Sequence, residues 1–211
     1  MVLLNNNTYM KRDSFRKELI RKLIHLTAYT HLIIFIVISE VLDARKLAFL
    51  ILTLILLFFL ELEYLRVERP SAAFPSKFSI FREKEQATFA GHIYILLGAI
   101  IAFAAFDIRV ASAAYSMAIL GDVASALIGK KWGRHAFIFS NKTWEGTIAG
   151  FLFNIMAGYF FLIGIPNRWT VLFLMAAVAS LVEVFTQKLD DNLTVPIFAG
   201  MAGQVALLLL V

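Results

Sequence analysis

The sequence predicts an all-α integral membrane protein with about seven transmembrane helices and a cytoplasmic N-terminus. Of the 211 residues, 60% are hydrophobic and 17% charged, with a mean hydropathy of +0.78, too apolar for a soluble domain of this length. The apolar residues are gathered into uncharged blocks about as long as the roughly 20-residue helix that crosses a bilayer. Lys and Arg fall asymmetrically around those blocks.

The first span, Leu23–Ser39, follows a long basic stretch and has no small-residue cleavage site after it, so it is expected to be retained. The second, Leu47–Leu65, carries Glu61 and Glu63 at its end and is expected to tilt or sit shallow there. The third is Phe89–Phe106, with His92 near its start, and the fourth is Val110–Ile128, which contains Asp122. The fifth, Gly146–Ile165, opens after a basic loop; the sixth, Thr170–Thr186, holds Glu183; the seventh, Pro196–Val211, is barely long enough.

With these seven spans, sixteen of the twenty Lys and Arg residues fall on one side, and Arg45, Lys46, Arg109 and Arg168 fall on the other. The positive-inside rule then places the N-terminus in the cytoplasm and the C-terminus outside, whereas six or eight helices would scramble the bias. Residues 1–22 are expected to form a cytoplasmic segment with an amphipathic helix leading inward, and 23–211 one transmembrane domain. The longer loops, rich in Gly, Pro, Asn and paired charges, all lie on the cytoplasmic side, so function is expected there.

Cysteine is absent, which excludes disulfide frameworks, thiolate metal sites and cysteine nucleophiles together. The net charge of +5 does not point to nucleic acid, because the basic residues lie beside apolar blocks, where they set topology and meet lipid headgroups. No Walker-type G-x-x-x-x-G-K-[ST] occurs, and no internal repeat supports an inverted-repeat transporter.

Four polar constellations remain. Glu18, Arg21, Lys22 and His25 share one helical face leading into the membrane; they are either an interfacial basic cluster or a set acting on one object. Asp122 lies inside the fourth span, with Gly121, Ser125, Ala126 and Gly129 around it and Lys130, Lys131 and Arg134 after it; it is either a structural ion-pair partner or a functional carboxylate. Asn141-Lys142-Thr143-Trp144-Glu145-Gly146 opens the fifth span, where helix-start N–H groups, Lys142 and the Thr143 hydroxyl favour phosphate; the plainer reading makes Thr143 a helix cap. Glu183 lies in the sixth span, with Asp190, Asp191 and Asn192 in the loop after it, an oxygen-only set suited to Mg²⁺ or a solvated acidic turn. Carboxylates for a metal beside cations for phosphates, at one membrane face, point to phosphoryl or nucleotidyl transfer to something dissolved in the bilayer.

Glu18-x-x-Arg21-Lys22-x-x-His25, Gly121-Asp122-Val123-Ala124-Ser125-Ala126 with Gly129 and Gly133, Lys142-Thr143-Trp144-Glu145-Gly146, and Glu183 followed by Asp190-Asp191-Asn192-Leu193-Thr194-Val195-Pro196 resemble the CTP-dependent lipid kinases: dolichol kinase, phytol kinase and CTP-dependent diacylglycerol kinase. The four motifs run in the same order from residue 18 to 196. The resemblance implies transfer of the γ-phosphate of CTP, with Mg²⁺ or a similar divalent ion, to the hydroxyl of a membrane-embedded long-chain alcohol, with a polyprenol or dolichol-type isoprenoid favoured. It implies that Lys130, Lys131, Arg134, Lys142, Thr143 and Glu145 hold the nucleotide. Asp122, Asp190 and Asp191 would hold the metal or the alcohol, with Glu183 a further candidate, and His25 would accept a proton. Glu18, Arg21, Lys22, Asn192 and Glu85, a member of the weaker Arg82-Glu83-Lys84-Glu85 match, would bind phosphate or substrate. The chain is similar in compactness to prokaryotic members, which favours a prokaryotic plasma membrane over the endoplasmic reticulum.

Two rivals differ in observable ways. A phosphatidate-type cytidylyltransferase would use the same groups but release pyrophosphate rather than CDP. A proton- or cation-coupled transporter would run polar residues through the membrane, whereas here they gather at the cytoplasmic ends.

Overall fold

The computed structural model describes residues 15–68, 90–140, 142–186 and 189–210, and within them the chain is all-helical, with one isolated antiparallel bridge between Ala136 and Thr143. The helices are α1 (Phe15–Val41), α2 (Arg45–Glu68), α3 (Gly91–Ala105), α4 (Ile108–Trp132), α5 (Trp144–Phe161), α6 (Arg168–Phe185) and α7 (Asp191–Leu210). Each apolar block read from the sequence falls on one of them. Five, α1, α2, α4, α6 and α7, are long and apolar enough to cross a membrane; α3 is a shorter apolar helix.

Helix α4 is the axis of the bundle: 67% of its apolar stretch is buried, against 17% for α2. Small side chains make this possible, because Ala111, Ala113, Ala114, Ala118 and Gly121 let neighbours approach on several sides. The closest approach is to α5. A methyl group on Gly158 would meet Met117 and Leu172, and one on Gly121 would meet the amide of Asn154. On the other flank, Phe35 of α1 stacks on Phe103 of α3 at 4.1 Å between ring centroids and meets Phe49 of α2 edge-on at 5.0 Å.

Two helix starts matter for the site. Helix α1 is helical from Phe15, so the amphipathic helix expected before Leu23 and the first span are one helix, its polar face continuous with its apolar body. It tightens at Thr27 and Ala28, where both amides bond back three residues and the Thr27 hydroxyl donates to the Ile24 carbonyl at 2.6 Å. Helix α7 starts at Asp191 rather than Pro196, so Asp191 and Asn192 belong to its first turn and not to a loop. Pro196 inside the helix leaves the Asn192 carbonyl without its usual amide donor. Gly98 of α3 packs there, so closely that a methyl group on it would come within 2.9 Å of that oxygen.

Glu63, at the end of α2, is buried. It pairs with Arg66 at 2.7 Å and accepts the Ala90 amide at 2.8 Å, which fastens the end of α2 to the start of α3.

Candidate active site

A cleft of about 620 Å³, within the size range of small-molecule sites, opens at the end of the bundle where α1, α5 and α7 begin and α4 and α6 end. Glu18, Asp122, Ser125, Lys130, Lys142 and Asp191 contribute its polar lining.

The first two constellations meet there. Lys22 of α1 is buried and ion-paired to Asp122 of α4, and His25 Nε2 lies 3.6 Å from the same carboxylate oxygen. His25 Nε2 is buried without a hydrogen-bond partner. Glu18, one turn back on the same face, pairs with Arg21 and reaches Lys130 of α4 at 3.4 Å. The spacing of Glu18, Lys22 and His25 over two helical turns thus aligns three groups against one neighbour, α4. Asp122 has the ion-pair partner that the structural reading requires, yet it also faces open cleft.

The third and fourth constellations meet beside it. Lys142 Nζ bonds Glu183 of α6 at 2.7 Å and Asp191 of α7 at 3.3 Å, and Ser125 of α4 donates to the same Glu183 oxygen. Burial alone would lower the Lys142 pKa, but Glu183, Asp191 and Asp122 outweigh it and hold the ammonium well above its ordinary range. Oxygen atoms of Asp122, Glu183 and Asp191 lie within 4.8 Å of one another.

The loop that delivers Lys142 is a tight antiparallel turn. Phe137 N–H donates to the Lys142 carbonyl at 3.1 Å and Trp144 N–H to the His135 carbonyl at 2.9 Å. Gly129, Gly133 and Gly146 crowd around the Thr143 hydroxyl, each so close that a methyl group would come within 3.1 Å of that oxygen. Only glycine permits this approach of α4, loop and α5.

Amide accounting corrects the expectation of a phosphate-binding helix start. Gly146 N–H donates to the Thr143 hydroxyl at 3.2 Å, Thr147 N–H to the Thr143 carbonyl at 2.9 Å, and Glu145's carboxylate takes its own amide. With Trp144 bonded to His135, the first turn of α5 is satisfied internally. The third motif supplies the cleft with the Lys142 ammonium rather than with backbone donors.

Glu145 lies outside the cleft lining. Its carboxylate bonds His135 Nδ1 at 2.7 Å, and its pKa is held down at about 2 by its own amide first and by His135 second. It braces the loop against α5. Lys131 and Arg134 are exposed and also lie off the lining, the Lys131 ammonium resting 4.3 Å from the centre of the Trp132 ring.

At α7, the two adjacent acids separate. Asp191 faces Lys142, whereas Asp190 caps the helix, its Oδ1 accepting the Asn192 amide at 3.1 Å and the Asn192 side chain at 2.7 Å. The carboxylate group is therefore Asp122, Glu183 and Asp191; the sequence expectation of Asp122, Asp190 and Asp191 as metal ligands had not foreseen the cap. Asn192 is buried against Gly91 at the start of α3, where a methyl group would meet its Nδ2 at 3.0 Å. Glu85 and its Arg82-Glu83-Lys84 neighbours lie outside the described residues.

Sequence reasoning missed Ser125 as a Glu183 ligand and missed Asn154, which is buried beneath the carboxylates and donates to Ser180 at 3.1 Å. The signal was available for Asn154: a lone amide in an apolar span needs a partner. Spacing sets Ser125 beside Asp122, but its bond to Glu183, like that of His135 to Glu145, is marked only by neighbours in space.

With that geometry in place, comparison with known proteins gives one partial likeness. An 88-residue stretch, 38% of this chain, is 36% identical to a phytol kinase of Synechocystis sp.. The chain resembles part of a phytol kinase. The match spans 37% of that protein's length, and it supports the likeness of the motifs to lipid kinases. No family model matches the chain, and no solved structure matches it.

Proposed function

We propose that the chain transfers the γ-phosphate of CTP to the hydroxyl of a membrane-embedded long-chain alcohol, of the polyprenol or dolichol type, giving the lipid monophosphate. The observation that carries this reading is the convergence of carboxylates from α4, α6 and α7 within 4.8 Å of one another, flanked by Lys22 and Lys142, at one end of an apolar bundle. Phosphoryl transfer has a loose transition state that is stabilised by positioning and charge neutralisation more than by a strong base. This cleft offers those two things.

The donor set fits Mg²⁺: three carboxylates supply only oxygen, and such sites ordinarily take a few carboxylates and leave the remaining positions to phosphate and water. Asp122, Glu183 and Asp191 would hold the ion, which would neutralise charge on the β- and γ-phosphates. Lys130 and Lys142 line the cleft as phosphate partners, and Lys22 fixes Asp122. His25, whose Nε2 is buried without a hydrogen-bond partner beside Asp122, would take the proton as the alcohol oxygen bonds to γ-phosphorus, the β–γ bridge breaks and CDP leaves. CTP as donor and a polyprenol as acceptor rest on the motif resemblance. The partial likeness to a phytol kinase supports a lipid alcohol as acceptor. The Lys and Arg bias supports a site on the cytoplasmic face; a prokaryotic plasma membrane rests on the resemblance to compact prokaryotic members.

The test is purified protein in detergent with γ-labelled CTP, Mg²⁺ and, separately, polyprenol, phytol and diacylglycerol. Label is expected in a lipid monophosphate with CDP released, and is expected to vanish in Asp122→Asn and Asp191→Asn. No transfer to any alcohol, with pyrophosphate released when a lipid phosphate is supplied, would overturn the kinase reading in favour of a cytidylyltransferase.

A further inference from the structure

The loop from Gly133 to Lys142 carries more than Lys142. Its tip is the turn at Ile138 and Phe139, two large apolar residues where turns ordinarily place Gly, Asn or Asp. Ile138 is fully exposed and Phe139 half exposed, with Trp132 and Trp144 at the loop's two feet also more than half exposed. In water this would be an uncovered apolar patch.

Its position says what covers it. Phe139 stacks on Phe185, ring planes 3° apart, and Phe185 is the last residue of α6, an apolar helix long enough to cross a membrane. Leu181, one turn deeper on the same helix, is exposed in the same way. The tip is therefore continuous with the lipid-facing surface rather than projecting away from it. Trp132 and Trp144 stand at the end of one helix and the start of the next, the level at which interfacial Trp sits. Around them lie Lys131 and Arg134, exposed cations that do not line the cleft.

We infer that the Gly133–Lys142 loop is an interfacial anchor: Ile138 and Phe139 insert at the boundary between headgroups and acyl chains, and Lys131 and Arg134 bind anionic lipid headgroups. The two cations thereby take a role other than the nucleotide contact their sequence position suggests. The anchor also sets the height of Lys142 relative to the bilayer, since Lys142 and Phe137 are joined across the turn. The inference rests on the membrane-spanning reading of the helices and is independent of which reaction the cleft performs.

The absence of cysteine makes the test direct, because Ile138→Cys creates a unique labelling site. The variant is labelled with an environment-sensitive fluorophore and the full chain is reconstituted in vesicles of neutral lipid, alone or with a third anionic lipid. Label at Phe160→Cys, on the exposed face of α5, serves as the lipid reference, and label at Asp43→Cys, in an exposed turn, as the aqueous one. The inference expects blue-shifted emission at 138, quenching by nitroxide lipid labelled near the headgroup, and protection from aqueous iodide. Lys131→Gln with Arg134→Gln is expected to reduce the anionic-lipid dependence of that quenching by about fivefold per cation removed. Iodide quenching equal to that at position 43 with no lipid quenching overturns it. So does a shift produced by CTP in detergent without lipid, which would make the tip a base-stacking surface, or one that follows protein concentration, which would make it a contact between copies.

Discussion

Replacing Lys142 by Met isolates what this ammonium does. It is the cation between Glu183 and Asp191, at 2.7 and 3.3 Å, and Asp122 lies within the same 4.8 Å group. Without it, two carboxylates up to 4.8 Å apart repel. At an effective dielectric of about 20 that repulsion is about 3.5 kcal/mol, similar to the cost of breaking a buried ion pair by removing one partner. For a chain of this length that corresponds to a fall in melting temperature of about 7–14 °C. The sign of the pKa shift agrees: an ammonium held above its ordinary range is fully charged at neutral pH, so its contribution is present there and would be lost only under strongly alkaline conditions. The assay is thermal unfolding of wild type and Lys142→Met in detergent, each with chelator and with excess Mg²⁺. The variant is expected to be the less stable in chelator and to regain more stability from Mg²⁺ than wild type does, because the divalent ion replaces the lost cation among the carboxylates. Equal melting temperatures in chelator, or no Mg²⁺ response in the variant, would refute the reasoning that these three side chains form one charged group.

Three further outcomes follow from the geometry. Asp190→Ala should lower stability by about 1 kcal/mol, the usual value of a helix cap, while retaining measurable phosphoryl transfer, whereas Asp191→Asn, which leaves the cap intact and Lys142 still paired to Glu183, should abolish transfer; melting curves beside the labelled-CTP assay separate the two. Gly146→Ala would place a methyl group 2.6 Å from the Ser125 carbonyl and should cost about 1–3 kcal/mol by forcing α4 and α5 apart, read as a lower melting temperature. Glu145→Gln should speed proteolysis of the Gly133–Lys142 loop at neutral pH; because the carboxylate's pKa is lowered to about 2, wild type's advantage should be full above the ordinary carboxylate range and fade as pH falls toward about 2.

Much of the site could be read from spacing. Glu18, Lys22 and His25 lie at helical intervals, and the structure sets all three against α4. Intramembrane carboxylates are costly enough to announce themselves: Asp122 lines the cleft, and Glu183 is buried behind it, accepting from the cleft-lining Ser125. What spacing does not resolve is which of several equivalent groups a helix end consumes for itself. In Asp190-Asp191-Asn192 either acid could cap; the choice of Asp190 turns Asp191 toward Lys142, since neighbouring helical positions point about 100° apart. The same accounting removes the α5 amides from the cleft, because Thr143 and Glu145 satisfy them first. Pro196 misplaced the start of α7 for a related reason. Proline usually marks a helix boundary, but here the carbonyl it orphans is accommodated by a glycine on another helix, Gly98, which no local pattern reveals.

The cleft's charges suggest how ligand binding would proceed under the proposed function. Among the described residues, each carboxylate at the cleft already has a cation: Lys22 on Asp122, Lys142 on Glu183 and Asp191, Arg21 and Lys130 on Glu18. Such internal pairing allows charged side chains to reside at the end of an apolar bundle, where unpaired ones would be expensive. It also means that the lysines reach a nucleotide by exchanging a carboxylate for a phosphate, while the vacated carboxylates turn to a divalent ion. The exchange conserves the number of charge contacts, so affinity for the nucleotide and for the ion should be mutually dependent. Reciprocal linkage makes that checkable, because whatever factor Mg²⁺ contributes to nucleotide affinity the nucleotide must contribute to Mg²⁺ affinity. In Lys142→Met the coupling should weaken, since its carboxylates no longer need a phosphate to release them. Titration calorimetry of nucleotide with and without Mg²⁺, in both proteins, reads that difference directly.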